Sequence, residues 1–138
     1  MKLVLDTNIY ISSFFWGGNP RKIMERIISG KDSLFVSKEI LTEVFSVMAR
    51  PKFNVREEYI YRFINAIEEI AYNVKLTGII KNICRDKDDD KIVECASLSN
   101  ADFIITGDDD LLTIKEFRSI RIITANEYVN ILKINQII

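Results

Sequence analysis

Short apolar runs that stop on an acid, separated by segments of helical period, constrain this chain more than anything else in it. Lys2-Leu3-Val4-Leu5 closes on Asp6, and Phe103-Ile104-Ile105 closes on Thr106-Gly107 and then on three aspartates. Runs this short, without polar alternation, are what strands buried on both faces of a parallel sheet require. Leu34-Phe35-Val36, Val74-Lys75-Leu76 and Ile120 to Ile123 read as further strands.

Helices fall between them. Asn19-Pro20 offers an N-cap and an N1 proline for a short helix from Lys22 to Ser29, and Gly30 can take the left-handed conformation after it. Ser37 caps a helix whose face carries Ile40, Leu41, Val44, Phe45 and Met48, and Pro51 ends it. Asn54 and Glu57 have capping-box spacing before a long helix with Ile60, Phe63, Ile64, Ile67 and Ile70; Thr124 and Glu127 repeat that spacing before the last helix. The acids Asp86 to Asp90 precede a helix with Ile92, Val93, Cys95, Ala96 and Leu98, where a helix dipole favours them. Strands alternating with such helices imply right-handed crossovers and an α/β fold of three layers, α/β/α, with a central, mostly parallel, Rossmannoid sheet. Ligands of such sheets bind beyond the carboxyl ends of the strands, so Asp6 and Asp108 should face one crevice.

A length of 138 residues with 48% hydrophobic content suits one domain, residues 1–138, with a core that needs no disulfide. The 19 basic and 20 acidic residues leave a charge of −1, so a nucleic-acid partner has to be met by a local patch. Cys84 and Cys95 have neither pair spacing nor histidine partners and read as buried thiols. With no signal-like segment and no apolar stretch of about 18 residues, the expectation is a cytoplasmic protein without a membrane partner.

Acids stand at four separated places: Asp6, Glu43, the run Asp86/Asp88/Asp89/Asp90, and Asp108/Asp109/Asp110. Brought within a few ångströms, such carboxylates repel and raise one another's pKa unless a cation compensates them. A hard ion such as Mg²⁺ or Mn²⁺ accepts oxygen ligands and keeps several waters, and Asn8 and Thr106 can hydrogen-bond the ligating acids from behind. The chain has no histidine, which excludes a histidine general base.

Asp6-Thr7-Asn8 at the first strand end, Glu43 in a helix, Asp88-Asp89-Asp90-Lys91-Ile92-Val93-Glu94-Cys95-Ala96 opening another, and Thr106-Gly107-Asp108-Asp109-Asp110-Leu111-Leu112 after a strand resemble, in order, the four acidic motifs of PIN-domain nucleases. Ala49-Arg50-Pro51-Lys52-Phe53 resembles the VapC-type toxin branch of that family. The resemblance implies a PIN-like fold and a divalent-metal-dependent endoribonuclease for single-stranded RNA, commonly the toxin of a toxin-antitoxin pair. By position it implies Asp6 as first metal ligand, Glu43 as second acid, Asp89 as third and Asp108 as fourth. Asp90 takes the third place if the register is off by one, and Asp110 resembles an extra acid that some members add. It also implies a small antitoxin as partner, and a homodimer.

Other readings stand beside these. Asp6 can simply cap a turn, Glu43 can sit on a solvated helix face, one of Asp88 to Asp90 can be an N-cap, and Asp109 reads as solvated. Asp86, Asp88 and Asp90 begin like an EF-hand loop, but Lys91 and Ser97 stand where glycine and glutamate are needed, which rejects it. Phe14-Phe15-Trp16 reads as core or a dimer contact, with base stacking as the alternative. Arg50 and Lys52, near Arg56, are candidate contacts to RNA phosphates or else a solvated basic surface. A haloacid-dehalogenase-type phosphatase also starts on a strand-end aspartate, but Asn8 stands where its second acid belongs and Leu112 where its last loop closes on an aspartate. A non-catalytic RNA- or protein-binding PIN scaffold is the reading from outside enzymology.

Overall fold

A computed structural model describes residues 1–135. Six strands, β1 (Lys2–Leu5), β2 (Ser33–Val36), β3 (Tyr72–Asn73), β4 (Phe103–Ile105), β5 (Glu116–Phe117) and β6 (Ile120–Ile123), form one sheet in the order β3-β2-β1-β4-β6-β5. Every pairing is parallel except the edge hairpin β5-β6. Seven helices join them: α1 (Thr7–Phe15), α2 (Gly18–Ile28), α3 (Lys38–Met48), α4 (Glu57–Ile70), α5 (Asp90–Ser99), α6 (Asp109–Leu112) and α7 (Ala125–Ile134). This is the three-layer α/β architecture that the alternation of apolar runs and helical segments predicts.

Register decides where the site lies. Leu5 pairs with Ile105 and Ile105 with Ile123, all three buried, so the central strands end level with one another. The ladder runs one step past them: the Asp6 N–H donates to the Ile105 carbonyl at 2.9 Å and the Thr106 N–H to the Ile123 carbonyl at 3.0 Å. Asp6 and Thr106, 100 residues apart in sequence, thereby become neighbours at the carboxyl edge.

Several local expectations hold. The Ser37 hydroxyl caps α3 by accepting from the Ile40 N–H at 3.1 Å, and the Thr124/Glu127 capping box starts α7. Both cysteines are free and buried. Among the described residues no helix is long and apolar enough to cross a membrane.

Others are corrected. The segment after Asp6 is a helix that periodicity conceals, because α1 buries Thr7, Ile9, Tyr10, Ile11 and Ser13 around much of its circumference. Helix α2 begins at Gly18 after Gly17, whose φ of 79° turns the chain, so Asn19 and Pro20 lie in the first turn rather than ahead of it. Asn54 closes a 3₁₀ turn, Pro51–Phe53, in the left-handed conformation, and α4 starts after Arg56 without a side-chain cap. The third strand is Tyr72–Asn73 rather than the Val74 segment, since Tyr72 and Asn73 pair with Phe35 and Val36 and the Tyr72 ring stacks on Phe35.

The second face of the sheet is tied by a buried carboxylate. Asp32 accepts from Arg26 Nε on α2 at 2.9 Å and from the Tyr128 hydroxyl on α7 at 2.9 Å, and its side chain is wholly enclosed. Burial alone would raise its pKa, but the Arg26 and Tyr128 hydrogen bonds outweigh that and hold it below the usual carboxylate range. With the folded pKa below the unfolded one, this stabilisation is present above about pH 4 and lost as pH falls through the lowered value. Replacing Arg26 by Met should destabilise the protein by about 3–5 kcal/mol in urea titrations at pH 7. The deficit should shrink towards pH 3, and a deficit independent of pH would contradict the pairing.

Candidate functional site

Asp6 leaves β1 and caps α1, so its backbone position is set from both sides. One carboxylate oxygen accepts from the Thr7 N–H at 2.8 Å and the other from the Thr106 hydroxyl at 2.7 Å, with only 5% of the residue exposed. The Thr106 hydroxyl in turn accepts from the Asp108 N–H at 3.0 Å. One short chain of hydrogen bonds therefore fixes the Asp6 rotamer and the start of the loop that carries Asp108. Burial pushes the Asp6 carboxyl above its ordinary pKa; the Thr106 and Thr7 hydrogen bonds oppose this, and the charges of Glu43 and Asp108 add to it.

Asp89 arrives from a 3₁₀ turn, Lys87–Asp89, that Asp86 starts by accepting from the Asp88 N–H at 3.0 Å. Burial pushes Asp89 up to about 7, helped by a side-chain hydrogen bond with Asp108 and by the charges of Asp6, Asp108 and Asp86. Glu43 projects from α3 towards the same place. It accepts from the Thr7 hydroxyl and lies 3.2 Å from Lys91 Nζ, which also donates to the Asp88 carbonyl at 2.8 Å. Together Asp6, Glu43, Asp86, Asp89, Asp108, Asp109 and Asp110 line one cleft of about 720 Å³.

Of the residues singled out from sequence, Asp6, Asn8, Glu43, Asp89, Asp108, Asp110 and Arg50 all reach this cleft, and Thr106 lies directly behind Asp6. Asn8 accepts from the Gly107 N–H at 3.4 Å and so ties the two strand-end loops. Asp110 pairs with the exposed Arg85 at 3.4 Å, and Asp109 is exposed as expected. Two expectations are corrected. Asp90 is turned from the cleft: its oxygens accept from the backbone N–H groups of Asn82, Ile83 and Cys84 at 2.8 to 3.2 Å. Those bonds overcome burial and hold its pKa low, so it latches the preceding loop and is not an alternative to Asp89. Lys52 lies off the cleft wall, its ammonium 5.0 Å from the Phe53 ring centroid.

Sequence reasoning passed over Lys91, the Thr7 hydroxyl and Arg85. Lys91 had a detectable signal, since an acid cluster without histidine needs a cation and Lys91 is the one inside the third motif. It also passed over Glu94, one turn after Asp90, which accepts from the Thr77 and Gly78 N–H groups at 2.8 to 3.1 Å.

Among the described residues no three acids yet surround a single point as a finished ion site. The donor set nonetheless fits a hard divalent cation. All its atoms are oxygens, Thr106 orients Asp6 from behind, and Asp6 and Asp89 carry raised pKa values that a nearby positive charge would lower. Burial and the charges of Asp6, Asp108 and Asp86 make the ionised form of Asp89 costly, and a nearby cation would relieve that cost.

Comparison with known proteins gives three findings. The family model for the PIN domain matches residues 2–110. An uncharacterized protein of Methanocaldococcus jannaschii is 33% identical over 141 residues, covering 99% of this chain and 83% of that one. In solved structures, the crystal structure of VapBC2 from Rickettsia felis bound to a DNA fragment from their promoter is similar with a TM-score of 0.64. That match covers 90% of this chain and 98% of the other at 13% identity, a likeness of fold.

Two outcomes follow from the geometry. Asp90→Ala should expose the amides of residues 82–84 to hydrogen exchange and lower stability by about 1–3 kcal/mol; unchanged protection there would refute the latch. Because the folded pKa of Asp89 is raised, its contribution to stability is full at low pH and is lost as pH rises through about 7. In chelator, the wild type should therefore melt higher at pH 5 than at pH 8, and Asp89→Asn should reduce that difference.

Proposed function

The chain belongs to the PIN-domain family, and we propose that it is a divalent-metal-dependent endoribonuclease that hydrolyses phosphodiester bonds of single-stranded RNA, acting in the cytoplasm as the toxin of a toxin-antitoxin pair. The observation that carries this reading is the arrival of acids from four separate segments in one cleft, with Asp89 driven to about 7 by burial and by its neighbours. A carboxylate cluster raised in this way, at the ligand-binding edge of a parallel sheet, is the signature of a functional centre rather than of a solvated surface.

In this reading Asp6, Asp89 and Asp108 hold Mg²⁺ or Mn²⁺, and Asp110 assists from the rim. The cation, when bound, lowers the pKa of water and offsets charge developing on the phosphate. The chain's own residues do the rest. The Thr106 hydroxyl locks the Asp6 rotamer, Glu43 completes the acidic wall, and Lys91 keeps Glu43 from adding its full charge to Asp6. Asn8 holds the two strand-end loops at a fixed separation. Arg50, which also lines the cleft, meets a substrate phosphate. The partners in this reading are the RNA, a small antitoxin that covers the cleft, as the resemblance to VapC-type toxins implies, and a second copy of the chain.

Asp6→Asn should lower RNA cleavage in Mg²⁺ or Mn²⁺ by at least about 10²-fold, as loss of a group stabilising transition-state charge does. Cleavage at the original rate would defeat the proposal. Mn²⁺ titrated into the purified protein should bind, and binding should vanish in the Asp6/Asp108 double asparagine variant; Mn²⁺ binding without cleavage of any RNA would favour the scaffold reading. Arg50→Ala should lower the slope of log affinity against log salt by about one, whereas Lys52→Ala should leave it nearly unchanged.

A further inference from the structure

The aromatic triplet after the first acid divides in the folded chain. Phe14 packs edge-on against Phe63 at 5.0 Å and Phe15 stacks on Phe53 at 4.7 Å, both partly buried against the core. Trp16, the single tryptophan of the chain, is 68% exposed instead. It caps the carboxyl end of α1 and lines the acidic cleft, as Ile11, Val47 and Arg50 also do. Its indole lies tilted against Phe15 at 5.5 Å and in a T-shaped arrangement with Phe53 at 6.3 Å, centroid to centroid. A ring left open while its two neighbours are packed inside forgoes the burial that usually dominates the energetics of tryptophan.

Charge narrows what covers it. The acid cluster repels a phosphate backbone, so a strand that reaches the cleft has to be anchored outside that cluster. Arg50 supplies a cation in the lining of the same cleft. An exposed π-face and a cation that line one acidic cleft match one nucleotide: base on the indole and phosphate towards Arg50. We propose that Trp16 is a base-stacking subsite for an unpaired nucleotide beside the cleaved phosphate. A base held in a duplex has its faces covered by its neighbours, so this subsite selects single strands.

The proposal rests on the ribonuclease reading, and the experiment separates the two. Full-length Asp6→Asn protein, which leaves the strand intact, is titrated with short single-stranded oligoadenylate while the emission of Trp16 is followed. The expected result is saturable quenching, absent with an abasic strand of equal charge and with a blunt duplex. In the same background Trp16→Ala should weaken oligoadenylate binding, measured by anisotropy, by about tenfold or more, and Trp16→Phe should retain most of the affinity. Oligoadenylate binding without quenching, equal binding of the abasic strand, or unchanged affinity in Trp16→Ala overturns the subsite while leaving the nuclease reading in place. A Trp16→Ala protein that changes only from dimer to monomer overturns it in favour of a contact between copies. If no variant binds the strand and the wild type does not cleave RNA, both readings fall.

Discussion

Repulsion among carboxylates gathered at one edge of a parallel sheet is the constraint that the rest of this molecule answers. Isolated ionised groups taken out of water carry a penalty of several kcal/mol each, and Asp6 is almost wholly buried. The fold does not remove that penalty; it manages it with oriented dipoles. The Thr7 N–H and Thr106 hydroxyl meet Asp6, and Lys91 answers Glu43. Each device compensates only part of the charge. The remainder is what the proposed cation would offset.

The acids of this chain separate into two populations by what they face. Asp90, Glu94 and Asp32 look into backbone N–H groups or a guanidinium, and Asp90 and Asp32 are held acidic and spent on architecture. Asp6 and Asp89 are pushed the other way, first by burial and then by the charges of neighbouring carboxylates. Asp89 and Asp90 are adjacent yet belong to opposite populations, because the step from a 3₁₀ turn into α5 points one side chain at the cleft and the next at the loop of residues 82–84. The latch and the acid are thus one construction: the bonds that pin residues 82–84 also settle the turn that aims Asp89.

Much of this was legible beforehand. The double-faced burial of Leu3-Val4-Leu5 and Phe103-Ile104-Ile105 needs no partner to be recognised, and it dictates both the parallel sheet and the edge on which Asp6 and Asp108 stand. Ser37 and the Thr124/Glu127 box also read correctly, since capping chemistry is local to a few residues. Helix α1 and the start of α2 did not, because a helix buried on most sides has no polar stripe and a glycine with positive φ offers no side-chain signature. The aromatic triplet was ambiguous for a related reason: hydrophobicity places all three rings inside, and only packing space decides that Trp16 stays out.

From its sequence alone, the chain determined the class of fold and the sheet edge at which its separated acids gather, because these depend on which residues are apolar and where acids end apolar runs. Which acid of an adjacent pair faces the cleft, which cation neutralises Glu43, and which basic residue near the 3₁₀ turn lines the wall were decided only by the tertiary structure. Those choices depend on directions a few tens of degrees apart, set by turns and by partners distant in the chain. Arg50 and Lys52, two residues apart, end in different places for that reason.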